Sequence, residues 1–517
     1  MAILDKPDVA EVTAILEKAK LTLTPDAIED WRILLGSFDK DVQSLLALED
    51  YQPFADLEAY PRSDIFVPRN AEESDKGGWA TRCTVKAAKP KSNLLAGRTV
   101  GIKDNIAVAG VRCLNGMSPL GAEWVPQVDA TVVTRILDAG GIINGKATCE
   151  SACLEGTSDT SCTGLVHNPY ADNYACGGSS SGSGRVVASG AADMALGCDQ
   201  GGSVRMPAAA CGIAEIDHCG PMTKTVRDNA LLLEVIAGPD GMDDRQPRSI
   251  PADQLAFSSS LDTFLSTVSD KPLTGFRIGV LKEGFDLPVI DPNVEKAVRH
   301  AIEVLGSLGA EVKEVSIPEH HAAGLAWSCA LAHGAARDAL LGDRTGRKEL
   351  YMTERAPKPG ATISQERFDD WGPGAQSLYL QHLLVKERYG PVVHAKSTNL
   401  IRKYTRSYDV ALASLDALVM PTVPFPATPS FVEGENPGPL AKTMRSMGVV
   451  SNTAPFDSTG HPALSVPVGF VPAAEDASIK LPTGLQIVCK HFDDLTCYKI
   501  GAVWERAKDW KTLMYGA

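Results

Sequence analysis

The chain has 517 residues, with 50 Lys plus Arg against 64 Asp plus Glu, a net charge of −14 and a pI near 5.3. That acidic balance leaves no basic surface to recommend nucleic acid or an anionic membrane as a partner. Residues 1–12 (MAILDKPDVAEV) hold no apolar signal core, and apolar runs such as ALLLEVIAG from Ala230 are too short to span a bilayer, so a cytoplasmic protein is expected.

Length permits two or three domains, or one large sheet with appendages. The 12 cysteines form no CxxC pair; only Cys149 and Cys153 sit four apart, and their surroundings offer no metal-ligand pattern. Most read as small apolar residues in a reducing compartment.

From Val9 to about Leu48, Val12, Ile15, Leu16 and Ala19 recur at helical spacing, and Thr24-Pro25 supplies an N-cap and a first helical residue. A helical N-terminal domain over residues 1–80 is expected. Tyr51 to Lys91 is rich in Pro, Asp, Ser and Gly and reads as a surface connection, with a boundary near 75–90. Residues 81–517 then alternate between strand and helix patterns: RTVGI from Arg98 is a strand, Asp129–Leu137 a helix capped by Asp129, and Ile142-Ile143 opens a strand. FRIGVL from Phe276, a helix from Asp291-Pro292 to Gly309 and AEVKEV from Ala310 repeat the unit, and ALVM, ALSVPV and GLQIV supply strands near the C-terminus. This alternation argues for an α/β fold with helices against a large sheet. Residues 320–415 break the rhythm with helical, aromatic-rich sequence (Trp327, Phe368, Trp371, Tyr379, Tyr389, Tyr404), expected as an insertion lining a substrate pocket.

Residues Gly177–Pro207 hold eight glycines and six serines. A Walker loop fails here, because Ser183 stands where Lys is required. A dinucleotide fingerprint fails too, because Gly182-Ser-Gly184 is followed by Val187 where Gly or Ala is needed. Gly178-Ser-Ser180-Ser-Gly182 does match a GxSxG nucleophile elbow, with Asp416 and His461 available downstream, but it leaves the DQGGS cluster at Asp199–Ser203 unexplained. Gly201 and Gly202 directly precede Ser203, so the two clusters together suggest a serine nucleophile backed by backbone N–H groups aimed at a developing oxyanion.

With these motifs the chain resembles the amidase signature family of serine hydrolases from about Lys91 onward. The carriers are GIKDNI (Gly101–Ile106), GGSSSGS (Gly177–Ser183), ALGCDQGGSVRMPAA (Ala195–Ala209) and the DHCGP tract from Asp217. DQGGS, the helical N-terminal unit and NTAPFDSTGHPALSVPVG (Asn452–Gly469) are most similar to nitrile-pathway amidases.

The resemblance implies a Ser, cis-peptide Ser and Lys set: Ser203 as nucleophile, Ser179 as relay and Lys103 as base. It also implies oxyanion donors at Gln200, Gly201 and Gly202, with Ser180, Asp199 and Arg205 in support and His218 in a structural turn. Lys103 follows a short strand, and its burial disfavours the ammonium; bringing a lysine from about 10.4 toward 7 takes roughly 4 to 5 kcal/mol. The resemblance further implies hydrolysis of carboxylic amides; the alternatives are carbamate (urethanase), anilide or ester hydrolysis, or the role of a glutamine amidotransferase component. No cofactor or metal is called for, and the N-terminal helices would support a homodimer. Two departures stand out. Ser181 replaces the usual third glycine of GGSSGG, and a GLKPT-like segment is missing, so that Ala214-Glu215 leads straight to Ile216-Asp217-His218.

Overall fold

The structure is a computed structural model that describes residues 9–118, 124–216, 218–242, 250–267, 269–342, 350–353, 362–431, 435 and 437–516. Two units divide the chain at Phe54 and Ala55. In the first, α1 (Val9–Ala19) packs on α2 (Pro25–Leu46). The Thr24 hydroxyl accepts the Ala27 N–H at 3.3 Å and Pro25 opens the helix, the start that Thr-Pro predicts.

The second unit is built on one mixed sheet. Its strands are β1 (Arg62–Phe66), β2 (Trp79–Val85), β3 (Thr99–Lys103), β4 (Ile142–Ala147), β5 (Met194–Leu196) and β6 (Ala214–Ile216), then β7 (Pro221–Thr223), β8 (Arg277–Leu281), β9 (Glu311–Val315), β10 (Ala417–Pro421), β11 (Ala463–Pro472) and β12 (Lys480–Val488). They run in the order β1-β2-β4-β3-β5-β7-β6-β11-β12-β10-β8-β9. β3 is parallel to β4 and β5, and β8 to β9 and β10, while the remaining pairings are antiparallel.

The helical domain does not extend to residue 80. β1 and β2 already belong to the sheet, because Trp79–Val85 buries most of its side chains between β1 and β4 despite the turn-rich sequence before it. The next helix also starts later than its sequence suggests. It is α3 (Thr131–Asp138), and Asp129 does not cap it; its carboxylate accepts the Ala109 N–H at 2.7 Å and pairs with Arg62.

Strand alternation decides which residues reach the site. On β3, Val100 and Ile102 pack toward α3 and α6 (Val226–Ile236), whose Val133, Ile136, Leu231 and Leu232 fill one core. Gly101 and Lys103 therefore face the other side, where a Cβ on Gly101 would meet Trp79 and Val186 of α4 (Ser181–Ser189). On that side α5 (Arg205–Cys211) lies against β12, with Ala209 close to Gly484. The opposite face of the C-terminal strands carries the largest core, formed with α7 (Phe257–Thr267), α8 (Pro292–Ser307) and a last helix at Asp494–Ala507.

Between Glu319 and Leu412 run α9 (Glu319–Ala335), α10 (Gln365–Asp370), α11 (Pro373–Arg388) and α12 (Val392–Leu412), the helical stretch expected over 320–415. α13 (Pro439–Met444) and α14 (Ala454–Thr459) follow, α14 packing on α9 and α12; the last helix is α15.

Truncating Ile487, fully buried in β12, should cost about 2 to 5 kcal/mol as Ile487→Ala, read from urea unfolding. The same truncation at Leu440, 73% exposed on α13, should stay within about 0.5 kcal/mol.

Candidate active site

Lys103 ends β3 with no exposed surface. Its amine donates to the Ser179 hydroxyl at 2.9 Å and to the Cys198 carbonyl at 3.2 Å. The Gly178–Ser179 peptide is cis. Ser180 is tied to the same strand end, its hydroxyl accepting the Cys198 N–H at 3.2 Å, and its own N–H donates to the Ser203 carbonyl at 3.1 Å. Lys103, Ser179 and the backbone of Ser203 thus converge. Among the described residues the Ser203 hydroxyl makes no hydrogen bond.

Asp199 organises the turn before Ser203. Its carboxylate accepts the N–H groups of Gly201, Gly202, Val204 and Arg205 and the Arg205 guanidinium at 3.0 Å. Burial alone would raise this carboxyl, but the Arg205 charge and the N–H donors outweigh it and hold it well below the usual carboxylate range. Arg205 is itself fully buried; it reaches the Thr453 carbonyl at 3.2 Å, the Gln486 amide at 3.0 Å and the Asp457 carboxylate.

The Gly201 and Gly202 N–H groups thus donate to a carboxylate inside the protein. Among the described residues, the N–H groups of Gln200 and Ser203 have no acceptor. The glycines are required by close approach. At Gly202, with φ +127°, a Cβ would come 2.3 Å from the Thr453 hydroxyl, and at Gly178 one would come 2.3 Å from the Thr157 carbonyl. From α9, the Trp327 indole donates to the Gln200 carbonyl at 2.7 Å.

The nucleophile-elbow alternative does not survive. Asp416 pairs with Arg277 at 3.0 Å, and His461 bonds Thr459 at 2.9 Å and Asp409 at 3.3 Å; neither is bonded to Ser180. Ser181 points inward, its hydroxyl donating to the buried Glu150 carboxyl. Burial pushes Glu150 up to about 7, against the Ser181 and Thr160 hydrogen bonds that favour its ionised form. His218 sits in a turn with φ +70°, and its carbonyl accepts the Asp199 N–H at 2.7 Å; Asp217 lies outside the described residues.

A model of the Amidase family matches residues 77–215 and 214–498. The chain belongs to the amidase signature family. It is 36% identical to an enantioselective amidase of Rhodococcus rhodochrous, over 97% of this chain and 96% of that one. It is 32% identical to a glutamyl-tRNA(Gln) amidotransferase component of Koribacter versatilis, over 80% of this chain and 85% of that one. The crystal structure of the corresponding component from Thermotoga maritima shares the fold, with a TM-score of 0.60 and 26% identity over 79% of this chain and 83% of that one. As a member of this amidase family the protein is a hydrolase of amide C–N bonds. The family match divides at residues 214–215, where the sequence lacks its GLKPT-like segment. No described helix is long and apolar enough to cross a membrane.

Two features of the site were not visible in the sequence. One is a second fully buried amine, Lys146 on β4, 3.4 Å from the Asp104 carboxylate. The other is the sulfur around Lys103. Burial works to lower the Lys103 pKa, but the charges of Cys153, Cys198 and Cys149, together with Asp199, outweigh it and hold the amine above its ordinary value. Cys198 is in turn drawn down to about 6, first by a hydrogen bond from Cys219 and then by the Lys103 charge, which prevail over burial.

Removing the Cys198 thiol, as in Cys198→Ser, should lower the Lys103 pKa and move the acid limb of kcat/KM for an amide to lower pH, with turnover on the plateau retained. An unmoved limb would show that the thiol carries no charge in the working enzyme. For Glu150 the folded pKa exceeds the unfolded value of 4.5, so the stability it contributes is fully present below that pH and is lost as pH rises through about 7. The loss amounts to about 3 kcal/mol, and Glu150→Gln should flatten that slope in denaturant melts taken across the window.

Proposed function

We propose that the protein hydrolyses carboxylic amides through an acyl-enzyme on Ser203, with Ser179 and Lys103 moving the proton. The observation that carries this reading is the 2.9 Å hydrogen bond between the fully buried Lys103 amine and the buried Ser179 hydroxyl. In the uncharged form Lys103 accepts the Ser179 proton while Ser179 accepts that of Ser203, and the Ser203 oxygen bonds to the carbonyl carbon. The resulting oxyanion is met by the N–H groups of Gln200 and Ser203, the donors that Asp199 leaves uncommitted. Collapse expels the amine, which takes the proton back along the same path. Water then attacks the ester and releases the acid.

Asp199 and Arg205 hold the turn in place. A small cleft lined by Gly177, Met206, Val423, Phe425 and Val449 adjoins the Ser179 loop. The likeness to an enantioselective amidase over nearly the whole chain supports simple amides as the substrate class. Carbamates, anilides and esters could enter the same acyl-enzyme chemistry. An amidotransferase role would instead require glutaminase activity and a partner enzyme. In the N-terminal unit Ile15, Trp31, Leu34, Phe38 and Leu45 are exposed, an apolar surface that fits a homodimer.

A hydrolysis screen over primary amides, anilides, carbamates and glutamine separates these substrates. Lys103→Ala should reduce kcat for the best amide by about a hundredfold to ten-thousandfold while leaving the melting transition cooperative. Ser203→Ala should abolish labelling by a fluorophosphonate probe. Full turnover in Lys103→Ala, or undiminished labelling in Ser203→Ala, would refute the mechanism.

A further inference from the structure

Asp409, His461 and His491 belong to three segments: the end of α12, the turn after α14, and the loop after β12. No spacing in the sequence groups them, and the amide chemistry uses none of them. His461 Nε2 lies 3.3 Å and His491 Nε2 3.6 Å from the same Asp409 oxygen, and the three ligand atoms lie within 4.8 Å of one another.

The far side of each ring is already engaged. His491 Nδ1 is 3.0 Å from the Gly460 carbonyl, which can only accept, so Nδ1 carries the proton and the lone pair of a neutral ring sits on Nε2, facing a carboxylate. His461 Nδ1 is 2.9 Å from the Thr459 hydroxyl. One turn, in which Gly460 takes φ +75° to end α14, therefore supplies a ring and orients both rings.

The separations are long for charge-assisted hydrogen bonds, which run about 2.7 to 2.9 Å. They fit the edges of a coordination tetrahedron, since metal bonds of about 2.0 to 2.2 Å to nitrogen and oxygen set neighbouring ligands roughly 3.4 Å apart. A cation would also remove the opposition between a ring lone pair and a carboxylate oxygen.

We propose that Asp409, His461 and His491 bind one divalent transition-metal ion of the zinc class. Two imidazoles and one carboxylate are the borderline donors such ions prefer. Asp409 is about half exposed, with 49% of its side-chain surface accessible, which leaves coordination positions to water. The ion ties α12 to the turns that follow α14 and β12. Because α14 also carries Asp457, the partner of Arg205, the site braces the C-terminal support of the nucleophile turn.

Co2+ titrated into the metal-stripped full-length protein tests the assignment. One equivalent should give visible d–d bands without thiolate-to-metal charge transfer, and Zn2+ should displace it and raise the melting temperature. His491→Ala and Asp409→Ala should lose both effects while retaining amide hydrolysis, which shows that they are folded. Thr459→Val, which keeps all three ligands, should weaken Co2+ binding about tenfold. Absent bands, bands of thiolate type, or binding unchanged in His491→Ala and Asp409→Ala would each overturn the proposal.

Discussion

An amine without solvent needs partners that replace water, and the two buried lysines of the sheet show how the choice of partner sets what each can do. They lie on adjacent parallel strands one residue out of step, Ile102 of β3 opposite Lys146 of β4. Lys146 reaches the Asp104 carboxylate at 3.4 Å and the Asp104 carbonyl at 3.2 Å, so its charge has a fixed counter-ion. Among the described residues Lys103 has no carboxylate in hydrogen-bonding contact; it meets a hydroxyl, a carbonyl and neighbouring sulfur. Its proton is held by groups that can themselves give or take one. That difference in partners separates Lys103 from Lys146.

The same requirement explains the glycine-rich turn. Placing the buried Asp199 carboxylate beside it needs several donors at once, and backbone N–H groups can only crowd around one carboxylate where side chains do not intervene. Gly201 and Gly202 satisfy this, and Arg205 supplies the compensating charge. The turn is thereby wound around an internal anion, which leaves the Gln200 and Ser203 N–H groups unused among the described residues. Part of the glycine content thus serves the protein's own charge.

Residues whose partners are near in sequence, or set by strand alternation, were legible. Lys103 at a strand end, the Thr24-Pro25 helix start and the Asp291 cap of α8 all appear as their patterns require. What failed depended on distant partners. Asp129 looks like a helix cap, but it goes to Arg62, which lies 67 residues earlier. Ser181 looks like a replaced glycine, but it serves Glu150. The sulfur around Lys103 comes from separate segments that no periodicity links, and the paired strands β1 and β2 hide in turn-rich sequence because edge pairing, not composition, holds them.

The short sequence after Ile213 can be understood in the same terms. β6 pairs with β7 and β11, with Ala214 opposite Thr223 and Leu464 opposite Ile216, so the sheet stays continuous across the shortened connection. Beyond β5 and β7 the ladder runs on, Gly197 and Gly220 exchanging hydrogen bonds and the Asp199 N–H donating to the His218 carbonyl. The short turn is therefore bonded to the backbone of Asp199, the residue whose carboxylate shapes the loop before Ser203. A longer connection is not needed to close the fold. The break in the family match at residues 214–215 marks where this chain departs from its relatives next to the site.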